Sequence, residues 1–475
     1  MILTIDIGTS NFKMALFEVQ GPKAGTMVEG SLVKIPMSIN ENETDPAQWT
    51  EAFANGIRQI AGQCGHVQIA TIAAILISGN GPTLVPVTAS GAAMARHWLD
   101  RRAVEEGKTV SQLFGTFVDP SFFLPKILYI KNRESELYQK TEHFLSSSEY
   151  LAYYLSGNAR MVLAGKTFEK WYWNDEVLDK AGFSGSEKDK FPAFIAPGEE
   201  IGEVLPELAG QFGLAQGVKV FAGGPDFLLS ILGTGCAEPG DACDRSGTSE
   251  GINLCTEQYI DDKRLFSYEH PVKPFWNLSG IISTSGKAIS WTRRLLGITP
   301  PEEYNKFYNL AAQAKAGGNG AIFLPYLAGE RAPVWNPDAH AVFSGLSLHD
   351  SPAELARAAC EGVCYSIRDV ITVMEADGAS VTAMRVTGGP SESDFLNQLK
   401  ADVSGKPVLL PELEEAELLG LAVIGSVALG EYTNFGEAAK KMVRIKKVYT
   451  ANVHTKSVYD DGFARYKELY KKLYL

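Results

Sequence analysis

The sequence predicts an α/β protein built from two similar lobes. Short apolar runs that read as strands alternate with longer segments of helical periodicity, which is typical of α/β proteins. The tripeptide Gly-Thr-Ser occurs at residues 8–10 and again at 247–249, each time between segments able to form strands. Because the copies lie about half the chain apart, we expect each to open one lobe with a strand, a tight turn and a strand.

Individual elements support this architecture. Four apolar runs are predicted as strands, at residues 72–77, 218–222, 321–324 and 384–386. The clearest helix begins at Ser351, which can cap it, while Pro352 suits the first turn and Glu354 can complete a capping box. Apolar side chains then recur on one broad face as far as Met374, and Gly378 ends the pattern. We expect a long, buried helix.

The boundary between the lobes is predicted near residue 241. Residues 240–244, Gly-Asp-Ala-Cys-Asp, form a polar break that contains glycine and suits a crossing between domains. The predicted domains are therefore 1–241 and 242–475.

Composition limits the partners of the protein. A chain of 475 residues with 45% hydrophobic content can bury a large core. The formal net charge of −12 argues against binding to nucleic acid, because such surfaces need a surplus of Lys and Arg to replace counterions. A phosphate ligand would instead be held by backbone amides, a metal ion and a few local charges. A small-molecule substrate is expected, and a homodimer remains open.

The N-terminal residues and the cysteines point to a cytoplasmic protein. The chain starts Met-Ile-Leu-Thr-Ile-Asp, without the basic and long apolar stretches of a secretory signal or membrane span. We expect a cytoplasmic location and no membrane partner. The six cysteines include no Cys-x-x-Cys pair and are predicted to be reduced thiols in the core.

Asp6 places a carboxylate inside the first apolar run. A lone Asp-x-Gly-Thr can simply stabilise a turn, but a buried carboxylate needs hydrogen-bond donors, a cation or a water-filled cleft. Gly8 permits a tight turn, Thr9 and Ser10 add hydroxyls and amides, and Lys13 adds a positive charge. Such a hairpin can hold a terminal phosphate, with Asp6 facing a hydrated magnesium ion.

A second motif ends in Asp226. The apolar run at 218–222 stops at Gly223 and Gly224, and a segment that reads as a helix follows Pro225. One interpretation is that Asp226 caps that helix. The other is that the paired glycines leave space for a ligand and the carboxylate accepts the proton of an attacking hydroxyl.

A third motif contains Gly388 and Gly389 between a predicted strand and a predicted helix. Backbone without side chains would let a planar ring and a ribose lie against it. An ordinary glycine turn before a helix is the alternative. The spacing matches neither G-x-G-x-x-G nor a Walker loop, so neither a Rossmann nor a P-loop site is indicated.

In this order the three motifs resemble the FGGY carbohydrate kinases, over essentially the whole chain. The matching stretches are DIGTSNFK, WLDRR, GGPD, SGTSEG, STSGKAISW, FSGLSLHDSPAELARAACEG and VTGGPSES followed by NQLKADVSGKPV. The resemblance implies two ribonuclease H-like lobes of the actin-like ATPase fold, with ATP and a sugar in a cleft between them. It also implies phosphorylation of a sugar or polyol hydroxyl, with a ketose such as a pentulose favoured.

The resemblance further implies a role for individual residues. Asp226 would be the general base, and Asp6 would hold Mg²⁺ through water. Thr9, Ser10 and Lys13 would face the γ-phosphate of ATP. The remaining residues expected around the nucleotide are Thr248, Gly286, Ser290, Gly388, Gly389 and Ser393.

The chain departs from the family pattern where the sugar should bind. The residues expected to contact it are Asn80, Gly81, Pro82, Ser121, Asp226 and Phe227. Glycerol kinases of the family carry Arg-Glu in the stretch occupied here by Asn80 to Pro82, so glycerol is disfavoured. Xylulose kinases carry Gln-Met-His there, which leaves a typical pentulose open. Since Phe227 stands where Asn or Gln is common, a substrate with fewer hydroxyls is expected.

Three alternatives remain at this point. The protein could be a kinase for a different polyol or deoxysugar, or a nucleotide-driven chaperone or filament protein of the same superfamily. It could also be a degenerate kinase that only senses sugar. The GGPD element and the long helix that begins after Ser351 favour a kinase over a chaperone.

Overall fold

Each half of the protein is organised around one mixed β-sheet. The computed structural model describes residues 1–38, 40, 42–300 and 303–474. The first unit comprises Met1–Gly233 and Glu417–Met442, and the second comprises Thr234–Ala416 and Val443–Leu475.

The described residues of the first unit form thirteen strands, β1 (Ile2–Ile7), β2 (Asn11–Phe17), β3 (Val33–Pro36), β4 (Glu43–Thr44), β5 (Ala74–Gly79), β6 (Leu84–Thr88), β7 (Gly91–Ala92), β8 (Ala95–Arg96), β9 (Thr141–Ser146), β10 (Met161–Val162), β11 (Phe194–Ile195), β12 (Glu200–Glu203) and β13 (Lys219–Pro225). The described part of the second unit adds β14 (Asp241–Ser246), β15 (Glu250–Thr256), β16 (Phe266–Glu269), β17 (Trp276–Ile282), β18 (Ile322–Leu324), β19 (Val342–Ser344), β20 (Ala383–Thr387), β21 (Val408–Pro411) and β22 (Ile445–Tyr449).

The α-helices are, in chain order, α1 (Ala47–Cys64), α2 (His66–Ala70), α3 (Val104–Phe114), α4 (Phe123–Arg133), α5 (Ser135–Lys140), α6 (Ser147–Ser156), α7 (Asp175–Lys180), α8 (Pro206–Phe212), α9 (Asp226–Gly233), α10 (Gly286–Leu295), α11 (Glu303–Ala311), α12 (Pro352–Ala376), α13 (Asp394–Ser404), α14 (Ala416–Ala428), α15 (Phe435–Met442) and α16 (Lys456–Tyr474). Short 3-10 helices connect several of them, including one at Lys166–Trp171 and one at Gly389–Glu392.

The two large sheets share the arrangement of five strands. In the first unit the order is β3-β2-β1-β5-β13-β12, in which β1, β5 and β13 are parallel, β3-β2 and β2-β1 pair antiparallel on one side, and β13-β12 pairs antiparallel on the other. In the second unit β17-β15-β14-β20-β21-β22 has the same pairing directions, with β16 added beside β17. The sixth strand differs in chain order, because β12 precedes its neighbour β13 whereas β22 follows its neighbour β21. The prediction of two similar α/β units is confirmed, and both Gly-Thr-Ser tripeptides form the turns of β1-β2 and β14-β15.

The predicted secondary structure is confirmed in its main features. The four apolar runs correspond to β5, β13, β18 and β20. The long helix is α12, and its capping box forms as expected: Ser351 Oγ accepts the Ala353 N–H at 3.1 Å, and Glu354 Oε2 accepts the Ser351 N–H at 2.8 Å. Most of α12 is buried in the core of the second unit.

The segment predicted to cross between domains is a buried strand. Residues 240–244 enter β14, whose Asp244 is fully buried and bonded to Lys400, which lies 156 residues further along the chain. The pattern looked like a polar break because this partner is remote in sequence. The chain instead passes from the first unit to the second after Gly233.

A second difference from the predicted division is that Glu417–Met442 belongs to the first unit. Two glycines of α14 allow the helix to pack against the first unit. A Cβ at Gly420 would lie 2.1 Å from the Leu229 carbonyl oxygen, and one at Gly425 would lie 2.6 Å from a methyl carbon of Leu76. The helix therefore packs closely on elements formed from the first half of the chain.

The cysteines are free thiols, and five of the six are buried, in agreement with the prediction of core thiols. Within the described ranges, no helix combines the length and the apolar character needed to cross a membrane.

Candidate functional site

Three neighbouring parallel strands of the first unit end in register, at Ile7, Gly79 and Pro225. The residues that follow are Gly8, Asn80 and Asp226. Because parallel strands present their carboxyl ends at one sheet edge, residues from three distant segments of the chain are brought together there. Pairing of the backbone alone therefore places Asp226 at the same sheet edge as the first Gly-Thr-Ser turn, with β5 between their strands.

The first Gly-Thr-Ser turn is tight and anchored through Thr9. Gly8 N–H donates to the Asn11 carbonyl at 3.0 Å, and a Cβ on Gly8 would lie only 2.8 Å from that oxygen. Thr9 Oγ1 accepts one hydrogen bond from Asn80 Nδ2 and one from Trp98 Nε1, both at 3.0 Å. Because both lone pairs of this oxygen accept hydrogen bonds, the Thr9 hydroxyl can itself donate a hydrogen bond to a third group. Such a donor suits a phosphate oxygen.

Asp6 lies on β1 and is 5% exposed. Its register partners are Lys13 on β2 and Ser78 on β5. The buried hydroxyl of Ser78 has no hydrogen-bond partner, so an oxygen donor is available next to Asp6. Carboxylate and hydroxyl oxygens are ligands suited to Mg²⁺. No group of three or more His, Cys, Asp or Glu in the described residues could hold a metal ion by itself.

Asp226 is the first residue of α9 and is half-buried. Its Oδ1 accepts the Phe227 N–H at 2.7 Å, so the start of the helix orients the carboxylate. The expectation that both preceding glycines leave space for a ligand is wrong for Gly223. A Cβ there would lie 2.1 Å from the Ile77 carbonyl oxygen, at an irregularity in the pairing of β13 with β5. Gly223 thus serves close strand packing.

An aromatic cluster adjoins Asp226. It consists of Phe122, Phe168, Trp171 and Phe227. The Phe227 ring centroid lies 6.1 Å from that of Phe168 and 5.9 Å from that of Trp171. The Trp171 ring centroid lies 5.6 Å from that of Phe122. Phe122 follows the buried Ser121 at the start of α4. The side chain after the proposed base is therefore part of an apolar wall.

Lys126 of α4 fixes the loop that contains Asn80, Gly81 and Pro82. Its Nζ is buried and donates to the Pro82 carbonyl at 2.7 Å and to the His97 carbonyl at 2.8 Å. A Cβ on Gly81, which has φ +35°, would lie 2.8 Å from Cβ of Trp98. The loop is thereby held against the tryptophan that bonds to Thr9.

The WLDRR segment contains an ion pair. Arg102 binds Asp100 through two hydrogen bonds, Nε to Oδ1 at 2.9 Å and Nη2 to Oδ2 at 2.8 Å. Its Nη2 also donates to Glu43 Oε1 at 3.0 Å. The hydrogen bonding of the guanidinium to Asp100 is the main reason that the pKa of Arg102 is raised above its usual range. This guanidinium is already neutralised by two carboxylates.

In the second unit, three backbone segments meet at the second Gly-Thr-Ser turn. Gly286 N–H donates to the Gly247 carbonyl at 3.1 Å, and Lys287 N–H donates to the Thr248 carbonyl at 3.2 Å. A Cβ on Gly286 would lie 2.3 Å from the Gly247 oxygen. Gly388, at φ +89°, approaches the same turn, since its Cβ would lie 1.9 Å from the Ser246 oxygen. Thr248, Gly286 and Gly388 are thus brought together as predicted for one site.

The other predicted nucleotide residues have different surroundings. A Cβ on Gly389 would meet no atom within 4 Å, so this position is open. Ser290 lies one turn into α10, where its Oγ accepts from Arg294 Nη1 at 3.4 Å. Ser393 caps α13 and accepts the Leu396 N–H at 3.2 Å. Contact of Ser290 and Ser393 with a nucleotide remains a prediction.

Several site residues escaped the sequence analysis. Lys126 was missed because a lysine within an amphipathic helix usually reads as surface. Phe168 and Trp171 carried one local signal, the density of aromatic residues in FEKWYW at 168–173. Their contact with Phe227 depends on tertiary structure.

Replacement of Gly388 by alanine should destabilise the second unit. The added Cβ would meet the Ser246 oxygen at 1.9 Å, and φ +89° is unfavourable for an L residue. We expect a melting temperature lower by several degrees in differential scanning calorimetry, corresponding to at least about 1 kcal/mol. Gly389→Ala is the matched control because its Cβ enters open space. Equal stability of the two variants would contradict this assignment.

Lys126 should make stability rise with pH. Burial lowers the pKa of Lys126 from its ordinary value of 10.5 to about 7. Between these values the unfolded state binds more protons than the folded state, so stability increases as pH rises. The advantage of wild type over Lys126→Met in free energy of unfolding should grow by about 3 kcal/mol between pH 7 and about 9.5.

Urea unfolding at both pH values measures this change. Lys108→Met, on the exposed part of α3, is the control and should show the same difference from wild type at both pH values. If the Lys126→Met difference shrank as pH rose, the sign of the assigned shift would be wrong.

Comparison with known proteins agrees with the geometry of both units. The sequence model for the N-terminal domain of the FGGY family of carbohydrate kinases matches residues 1–233, and that for its C-terminal domain matches residues 245–429. A xylulose kinase of Staphylococcus epidermidis is 27% identical and aligns over 99% of this chain and 97% of its own length. A gluconokinase of Bacillus subtilis is 28% identical and aligns over 93% of this chain and 90% of its own length.

A solved structure shows the same fold. The crystal structure of a xyloylose kinase from Brucella ovis superposes on this protein with a TM-score of 0.86 at 24% identity, and the superposition covers 99% of each chain. The relatives are sugar kinases, for which ATP is the co-substrate, so the chaperone and filament alternatives fall away. The two domain models follow each other in the expected order, and the protein belongs to the FGGY family of carbohydrate kinases.

Proposed function

We propose that this sugar kinase phosphorylates a neutral ketose of the pentulose class, with Asp226 as the general base. The observation that carries the proposal is the register of β1, β5 and β13, which brings Asp226, Asn80 and the first Gly-Thr-Ser turn to one sheet edge. A base must lie within reach of the hydroxyl that attacks the terminal phosphate, and this edge offers both a carboxylate and phosphate-binding groups.

In the proposed reaction, Asp226 orients the attacking hydroxyl of the sugar and accepts its proton. The Phe227 N–H bonded to its Oδ1 would hold the carboxylate in place during the transfer. The Thr9 hydroxyl would donate a hydrogen bond to the γ-phosphate. Ser10 would add a further hydrogen bond, and Lys13 would add positive charge. Asp6 and Ser78 fit a hydrated Mg²⁺, which would neutralise charge on the phosphate oxygens.

The second unit is proposed to bind the nucleotide. The amides of the turn at 247–249 and the N-terminus of α10 suit phosphate oxygens, because helix N-termini carry unsatisfied N–H groups and a partial positive charge. The open position at Gly389 would admit the adenosine. A cytoplasmic location and a requirement for Mg²⁺ belong to the same proposal.

Two features support a neutral ketose over gluconate as the substrate, although a xylulose kinase and a gluconokinase both align with the chain. Gluconate carries a carboxylate that needs a cation, whereas Arg102 is bonded to Asp100 and Glu43. The aromatic cluster beside Asp226 suits the apolar C–H face of a sugar. It also supports the expectation of a substrate with fewer hydroxyls at this position.

A coupled ADP-release assay would test the substrate class. The panel is D-xylulose, D-ribulose, 1-deoxy-D-xylulose, gluconate and glycerol. We expect kcat/KM for the ketopentoses or the deoxypentulose to exceed that for gluconate and glycerol by at least about tenfold, because a site rejects partners that leave buried polar groups unpaired. Preference for gluconate or glycerol would refute the class, and preference for D-xylulose alone would remove the idea of fewer hydroxyls. Absence of turnover on every sugar, with ATP still bound, would indicate a sugar sensor.

Asp226→Asn tests the base. The change preserves size but removes proton acceptance, so kcat should fall by at least about a hundredfold. Affinity for ADP, measured by isothermal titration calorimetry, should remain within about twofold of wild type because this residue contacts no nucleotide in the proposal. Asp175→Asn is the control, since Asp175 is likewise the first residue of a helix in the same unit but is exposed. Nearly normal turnover of Asp226→Asn would refute the role.

A further inference from the structure

An ionic cluster is buried beneath the second Gly-Thr-Ser turn. Its members are Asp244, Ser246, Glu250, Ser285 and Lys400. Lys400 Nζ donates to Asp244 Oδ2 at 2.6 Å, Ser246 Oγ at 2.7 Å and Glu250 Oε1 at 2.6 Å. The three charged side chains are at most 1% exposed. The cluster lies outside the residues to which the proposed reaction assigns a role.

The hydrogen bonding of the cluster is complete at the lysine. An ammonium has three N–H donors, and all three of Lys400 find acceptors. Burial lowers the pKa of Lys400, but the charges of Asp244 and Glu250 outweigh it, and the pKa is raised above its usual value. Burial and the neighbouring Glu250 charge raise the pKa of Asp244 well above its usual range. Lys400 Nζ thus lies equally close, at 2.6 Å, to the carboxylates of Asp244 and Glu250.

Stability alone does not account for this cluster. Removal of charged groups from water costs several kcal/mol per ion, and apolar residues of similar size often stabilise a core as well or better. What distinguishes the cluster is its position. Ser246 and Glu250 immediately flank the turn at 247–249, where β14 ends and β15 begins.

The cluster also reaches the start of α10. Glu250 Oε2 accepts a hydrogen bond from the Ser285 hydroxyl, and Ser285 is the residue that precedes the helix. The Ser285 N–H in turn donates to the Thr248 carbonyl at 3.3 Å. Glu250 therefore links Lys400 on α13 to both the turn and the N-terminus of α10.

We propose that Lys400 is a positioning residue that, through Glu250, holds the second Gly-Thr-Ser turn and the start of α10 in the geometry that binds the phosphates of the nucleotide. This inference rests on the proposed nucleotide role of the second unit. Lys400 acts indirectly. It contacts Ser246 and Glu250, which flank the turn, and these residues orient the amides and hydroxyls of the turn.

Lys400→Met tests the proposal, since it keeps the length of the side chain but removes its charge and donors. We expect KM for ATP to rise by at least about tenfold, because loss of a hydrogen bond to a charged group is typically worth 1.5–3 kcal/mol. KM for the sugar should stay within about twofold, because the change acts on the nucleotide side. Steady-state kinetics with each substrate varied separately gives this comparison.

A variant matched for loss of a buried ion pair separates positioning from general stability. Arg357→Met breaks the Arg357–Glu361 contact of 2.7 Å in α12, in the same unit. It should lower the melting temperature without raising KM for ATP. Equal rises in KM for ATP in Lys400→Met and Arg357→Met, at similar losses of stability, would overturn the proposal.

Ser285→Ala provides a milder variant if Lys400→Met fails to fold. It removes only the hydroxyl bonded to Glu250, and KM for ATP should rise by about fivefold, as expected for about 1 kcal/mol. An unchanged KM for ATP in this variant would also overturn the proposal.

Calorimetric titration of ADP into wild type distinguishes this inference from the proposed function. If wild type bound no ADP, the nucleotide role of the second unit would be wrong, and the inference would fall with it. If wild type bound ADP and Lys400→Met bound it equally well, the inference alone would be wrong.

Discussion

The in-register ending of parallel strands is the constraint on which the candidate sites depend. In the first unit, β1, β5 and β13 end together, so the turn at 8–10, the amide of Asn80 and the carboxylate of Asp226 share one edge. In the second unit, the pairing of Arg245 with Thr387 brings the next residues, Ser246 and Gly388, into contact. Side chains can be exchanged at such an edge while the backbone keeps its geometry, which is how one fold can serve different substrates.

Buried charge is the second organising feature, and two buried lysines have partners that are remote in sequence. Lys126 is surrounded by backbone carbonyls of two loops, and Lys400 by two carboxylates and a hydroxyl. An unpartnered buried charge would be prohibitively costly, so these contacts restrict how the loops can be placed. Loops that bind substrate are usually among the more mobile parts of a protein, and such anchors limit that mobility.

Much of the fold and part of the site could be predicted because their signals are local. The capping box of α12, the two Gly-Thr-Ser turns and the glycine of the third motif are each encoded within a few residues. The two-unit architecture followed from their repetition. The break at 240–244 misled because Asp244 looks solvent-exposed until Lys400 is known to cover it. The return of α14 to the first unit was equally invisible, since it depends on what Gly420 and Gly425 meet.

The sequence by itself determined which groups are available for chemistry: a carboxylate at the start of a helix, two hydroxyl-rich turns and glycines where backbone must approach closely. It also determined family membership, because ordered motifs survive at low overall identity. Only the tertiary structure decided that Phe227 joins an aromatic cluster, that Arg102 is neutralised by Asp100, and that Lys400 lies under a turn 150 residues away. The physical reason is that local patterns record hydrogen bonds and turns within a few residues, whereas packing and charge pairing depend on neighbours that only folding brings together.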